Sequence, residues 1–239
     1  PGEMAPVARH LSGEYVVLEP MQTADTVRGQ ITELAGIIQS EGDIPIILIG
    51  YSWGAWLAGR VTSCYPHLVR KLVLISAGPL EERYAHVWEN RMARLTPDER
   101  GEIHQIMRMM ENPADPRTNE YLARFGQFLS RTDSYHPICD CEESDSLPCS
   151  HDIHHTVWNE ADALRRSGEL LDYFRSVTCP VVAIHGVCDP HPFIGVQEPL
   201  SRVVRNFRFI LLEKCGHTPW KEAEAKDRFF TELKVALSA

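Results

Sequence analysis

The stretch "ILIGYSWGAWLAG", Ile47 to Gly59, runs an apolar segment straight into a serine held between two glycines, with a helix-forming segment directly after it. Gly50-Tyr51-Ser52-Trp53-Gly54 matches G-x-S-x-G between a predicted strand and a predicted helix, the context that motif requires. The glycines are expected to be needed because flanking side chains would collide with the strand and helix that meet there. Strain in such a turn holds Ser52 Oγ out above a sheet. The helix N-terminus supplies positive potential there, and the Trp53 backbone N–H can face an oxygen developing negative charge. The pentapeptide alone fits equally well a tight turn in which Ser52 merely caps the helix.

Outward from this corner the chain alternates short apolar runs with longer amphipathic ones. Glu14–Pro20, Ile44–Gly50, Val69–Gly78, Cys179–Gly186 and Phe207–Gly216 are rich in Val, Ile and Leu and end in Gly or Pro. These are strand signals, and most are continuously apolar, as in a parallel sheet covered on both faces. Thr23–Ser40, Trp53–Tyr65 and Lys221–Leu237 carry helical spacing. The alternation predicts an α/β fold with a doubly wound, mostly parallel sheet and ligands near the carboxyl ends of its strands.

Residues 79–176 break the pattern with helical stretches and no convincing strand, so residues 1–78 and 177–239 are expected to form the core and 79–176 a helical cap insertion. Thr96 as N-cap, Pro97 at the first helical position and Glu99 predict a capping box there. Met107, Met109 and Met110 suit an adaptable apolar surface under a cap. Cys139, Cys141, Cys149 and His151 lie close together, but their C-x-C-x7-C-x-H spacing fits no familiar zinc pattern, and a solvated acidic lid loop is the simpler expectation. His154, His155 and Trp158 are expected to pack or to line the pocket.

A serine hydroxyl is a weak nucleophile at neutral pH and needs a base, which in turn needs an orienting acid. Asp189 follows the fourth predicted strand and His217 the fifth. In a parallel sheet both open on the same edge as the serine corner, and Ser52, Asp189, His217 is the chain order of one hydrolase architecture. His185, at the strand end beside Asp189, is expected to be a satisfied buried histidine rather than a second base. Cys188 shows no neighbour that would activate a thiolate.

Through "GYSWG", "HGVCDPHP", "CGHTPWKE" and the helical insertion, the sequence resembles the α/β-hydrolase family over nearly its whole length, in the branch of esterases and prolyl-iminopeptidase-like enzymes. The resemblance implies Ser52 as nucleophile, His217 as general base and then acid, Asp189 as its orienting carboxylate, and the Trp53 N–H as one oxyanion donor. It implies no metal and no organic cofactor. Two departures stand out. The first strand and the H-G loop that carries the second oxyanion donor in the family have no counterpart, so further residues are expected before Pro1. The loop after Glu14–Pro20 also lacks the family's D-x-R-G.

The chain has 239 residues, 44% of them hydrophobic, enough for one substantial core. A formal charge of −9, with no basic run, argues against nucleic acid and anionic membrane as partners, and no apolar run has the length of a membrane span. Seven scattered cysteines suit reduced thiols and a cytoplasmic location. The function expected is a serine hydrolase acting on a small-molecule ester or amide through an acyl-enzyme. A prolyl-iminopeptidase-like aminopeptidase and a noncatalytic ligand-binding protein on the same scaffold are the alternatives, and oligomeric state is left open.

Overall fold

The structure, a computed structural model, describes residues 2–110, 115, 117–138 and 151–238, without the side chains of residues 119 and 151–155. In chain order the elements are α1 (Ala5–Leu11), α2 (Val27–Glu41), β1 (Ile46–Tyr51), α3 (Trp53–Cys64), β2 (Val69–Ile75), α4 (Val87–Ala93), α5 (Pro97–Met110), α6 (Thr118–Asp133), α7 (His151–Ser167), α8 (Glu169–Phe174), β3 (Val181–Gly186), α9 (Ile194–Val203), β4 (Phe207–Leu212) and α10 (Lys226–Ser238).

The strands form one parallel sheet in the order β1-β2-β3-β4. Pairing of Tyr51 with Ile75, Ile75 with Ile184 and Gly186 with Leu212 brings the carboxyl ends of all four to one edge. Because strand order follows chain order, right-handed crossovers carry the intervening helices to one face. There Leu48, Leu72, Leu74 and Ala183 pack under α2, α3, α8 and α9. The opposite face, with Val73, Ile75, Val182 and Ile210, is covered by α1 and α10. The apolar run of β2 follows from this double covering: Leu72 to Ile75 are all buried, each contributing about 1.5–3 kcal/mol relative to exposure.

The α/β architecture with helices on both faces is the one expected, with local differences. Glu14–Pro20 is not a strand. It runs without regular structure beside the site, with Val16 97% exposed. Its β-branched residues suit a pleated surface, but a strand also needs a partner for its backbone groups, and no described strand pairs with it. The last helix starts at Lys226 because Pro219–Lys221 forms a 3₁₀ turn first. The helical run after His151 divides at Gly168, which takes φ 86° between α7 and α8.

Between β2 and β3 the regular elements among the described residues are all helices, apart from an isolated bridge, Pro137 to Glu222. The capping box is present: the Thr96 amide donates to Glu99 at 2.8 Å and the Glu99 amide to Thr96 Oγ1 at 3.4 Å. Met110 packs on the small cluster of Leu95, Ile103, Ile106 and Phe128, while Met107 is exposed. Cys139, Cys141 and Cys149 lie outside the described residues, as do the side chains of His151, His154 and His155.

Candidate active site

Ser52 occupies the corner between β1 and α3 with φ 53° and ψ −120°, a conformation L-residues rarely adopt. A β-carbon on Gly50 would lie 2.3 Å from the Gly54 carbonyl oxygen and 2.7 Å from Ala55 Cα, so only glycine lets α3 begin this close to β1. Gly54 differs from the sequence expectation, since a β-carbon there would meet nothing within 4 Å. The Ser52 amide donates to the Ile75 carbonyl at 3.0 Å, tying the corner to β2. Its hydroxyl makes no capping bond to α3 and instead lies 3.0 Å from His217 Nε2.

His217 stands in the turn after β4. Its Nδ1 lies 2.8 Å from Asp189 Oδ2, in the turn after β3. A carboxylate only accepts, so Nδ1 carries the proton and Nε2 offers its lone pair to the Ser52 hydroxyl. Burial pulls the His217 pKa down, but the Asp189 charge and hydrogen bond outweigh it and leave the pKa raised. Burial likewise pushes Asp189 up, yet His217, His191 and His185 together hold it well below the usual carboxylate range. Tyr51 packs against the His217 ring at 5.0 Å and against Trp220 at 4.8 Å. The three side chains singled out in the sequence therefore converge. Trp53 opens α3, where its backbone N–H has no acceptor within the helix.

Two contributors escaped sequence reading. His191 donates both its backbone N–H, at 2.9 Å, and its ring Nδ1–H, at 2.7 Å, to Asp189 Oδ1. The other is Glu222, buried just beyond the histidine turn. It accepts from the amides of Gly216 at 2.9 Å, Tyr135 at 2.9 Å and His136 at 2.7 Å. The only available signals were the position of His191 two residues after the acid and of Glu222 five after the histidine. His185 is buried as expected but only half satisfied. Its Nε2 lies 3.0 Å from the His191 carbonyl and 3.2 Å from Asp189 Oδ2, while its Nδ1 has no hydrogen-bond partner.

Asp189, His191 and His217 bring possible metal-ligating atoms within 4.8 Å of one another. The two imidazoles, however, stack at 4.3 Å with 27° between their planes. Their Nδ1–H bonds run side by side toward the carboxylate, an arrangement for hydrogen bonding rather than tetrahedral coordination.

A cavity of about 1500 Å³ opens beside Ser52 and His217, with Trp53, Leu129, Arg91 and Asp133 in its walls. The Arg91 guanidinium grips the Asp133 carboxylate through two bonds of 2.7 and 2.6 Å. The Asp133 carbonyl accepts the His217 amide at 2.7 Å. Asn90 of α4 donates to the Pro190 carbonyl at 2.8 Å, and the guanidinium of Arg94, which caps that helix, donates to the Cys188 carbonyl at 2.7 Å. The segment after β2 is thus fastened to both the acid and histidine turns. Among the described residues no helix is long and apolar enough to cross a membrane.

A protein-family model described as the alpha/beta hydrolase family matches residues 11–230. Among curated proteins, "Epoxide hydrolase 4" of Homo sapiens is 39% identical over 46 residues, a match spanning 19% of this chain and only 13% of that protein. The crystal structure of VinJ superposes with a TM-score of 0.61 at 20% identity, over 89% of this chain and 72% of that one. The proline iminopeptidase of Mycobacterium smegmatis gives 0.58 at 15% identity, over 99% and 84%. At these identities the two structures bear on the fold alone.

Proposed function

The chain belongs to the alpha/beta hydrolase family, and we propose that it is a serine hydrolase cleaving a small ester or amide through an acyl-enzyme intermediate. The observation that carries this reading is the Ser52–His217–Asp189 relay, with contacts of 3.0 and 2.8 Å. As His217 Nε2 takes the hydroxyl proton, Ser52 Oγ attacks the substrate carbonyl carbon. Asp189 keeps the required tautomer and stabilises the imidazolium. The Trp53 N–H faces the developing oxyanion. Collapse of the tetrahedral intermediate passes the proton from His217 to the leaving group. Water, deprotonated by the same imidazole, then attacks the acyl carbon, and breaking of its bond to Ser52 Oγ releases the acid as His217 returns the proton to Oγ.

Residues 79–176 act in this reading as a cap that selects substrate, since Arg91, Leu129 and Asp133 share the cavity with Ser52. An aminopeptidase would need a free carboxylate in the cap for the substrate ammonium. Asp133, the acidic cap side chain among the described cavity residues, is already held by Arg91, which favours a substrate without that charge. A noncatalytic binding role leaves the strained Ser52 and its aligned base without a purpose. A cytoplasmic location belongs to the same reading, in keeping with the free thiols of Cys64, Cys179, Cys188 and Cys215.

The decisive experiment is fluorophosphonate labelling read by intact mass, beside hydrolysis of p-nitrophenyl esters and aminoacyl arylamides. One adduct on the wild type, none on Ser52→Ala and ester turnover are expected. An unlabelled wild type, or labelling that survives Ser52→Ala, overturns the reading.

A further inference from the structure

We propose that His191 is a positioning residue for His217, acting through Asp189, so that the orienting acid is shared between two stacked imidazoles. The proposal rests on the serine-hydrolase reading for its purpose, but its geometry stands apart from it. A carboxylate offers about four acceptor positions, and here three are filled by hydrogen bonds while His185 Nε2, bonded to the His191 carbonyl, stands near the fourth. Oδ1 accepts the His191 amide at 2.9 Å and ring Nδ1–H at 2.7 Å, while Oδ2 faces His217 Nδ1 at 2.8 Å and His185 Nε2 at 3.2 Å. Two donors on Oδ1 fix the rotation of the carboxylate, and that rotation aims Oδ2 at His217. They also draw negative charge toward Oδ1 and so temper the pull on the His217 proton.

His191 is itself held. Its turn is pinned on the α4 side at Pro190 and Cys188 by Asn90 and Arg94, and its ring lies against the His217 ring with centroids 4.3 Å apart. The ionisable groups facing it are Asp189 from its own turn, His217 from the turn after β4, and Arg91 from α4. His185, from the end of β3, meets its carbonyl. Burial, the largest influence, pulls the His191 pKa down to about 4. Near neutral pH it is therefore uncharged and influences His217 through the hydrogen bond rather than through charge.

The test is an NMR titration of the His217 ring nitrogens in the full chain, for wild type, His191→Phe and His191→Asn. Phenylalanine keeps a stacked ring without the donor, whereas asparagine restores an N–H donor. With the donor gone, Asp189 holds the His217 proton more tightly. The midpoint should move to higher pH, by roughly threefold to tenfold in proton concentration, and asparagine should bring it back. The acid limb of the fluorophosphonate labelling rate should move with it. A folded His191→Phe with an unchanged His217 midpoint, or equal displacement in both variants, overturns the proposal. If His191→Phe does not fold, His191→Leu is read against the same outcomes. Because the titration needs no turnover, it separates failure of this inference from failure of the serine-hydrolase reading.

Discussion

A β-carbon on Gly50 would sit 2.3 Å from the carbonyl oxygen of Gly54, yet one on Gly54 would touch nothing within 4 Å. The two glycines of the G-x-S-x-G match are therefore unequal. Gly50→Ala should cost at least about 2 kcal/mol and slow Ser52 labelling, because backbone must move to admit the methyl group. Gly54→Ala should stay within about 1 kcal/mol of wild type and could gain from helix propensity. Urea unfolding and labelling rates of the pair decide this, and equal losses would refute it.

Glu222 binds the histidine turn to the segment following α6 through three backbone amides. Glu222→Ala leaves those buried amides without an acceptor, at about 1–3 kcal/mol apiece before relaxation. The expected outcome is a loss of roughly 3 kcal/mol or more in urea unfolding, with slower labelling of whatever remains folded. Labelling at the wild-type rate would confine Glu222 to stability.

Asp189→Asn replaces an acceptor with a group that also donates. His217 then loses the partner that fixes its proton on Nδ1, and kcat should fall by roughly 10⁴ while the fold survives. Steady-state ester hydrolysis beside circular dichroism provides the check, and a fall of less than about tenfold would mean that another carboxylate orients the base.

Acid should weaken the fold partly through His191. Its pKa is depressed from 6.5 to about 4 in the folded chain. Between those values the unfolded state binds the extra proton, so this contribution is present above pH 6.5 and lost as pH falls toward 4, on the order of 2–3 kcal/mol. His217 has the opposite sign: its pKa is raised, so its contribution is present below 6.5 and lost as pH rises through the folded value. Urea melts at pH 7 and pH 5 should show His191→Phe losing less stability on acidification than wild type. An equal loss would contradict this.

The sheet and the convergence at Ser52 were legible because each depends on short-range pattern: apolar runs, Gly50 at a corner, polar residues just past strand ends. Glu14–Pro20 misled because apolar composition reports what a strand would pack against, not whether a neighbour exists to pair with it. His191 and Glu222 were invisible for a different reason. Glu222 works by hydrogen bonds to the distant Tyr135 and His136 amides, His191 by a bond to Asp189 in its own turn that matters only because His217 lies across it, and one histidine or glutamate near a turn reads as an ordinary solvated side chain. Gly54 was over-read because a motif names a residue without saying which neighbour crowds it.

Strand order following chain order has an evolutionary consequence. The chain leaves the sheet after β2 and returns at β3, between the strand that delivers Ser52 and the one that delivers Asp189, while the pairing of Leu72–Ile75 with Val181–Ile184 holds the two strands in register. Lengthening a loop between fixed ends costs only logarithmically in entropy, about 0.6 kcal/mol per doubling. Descendants of this chain can therefore lengthen the stretches between those strands that make no bond to the acid and histidine turns, and drift from one diet of substrates to another, while Asn90, Arg94 and Asp133 keep the proton relay in place.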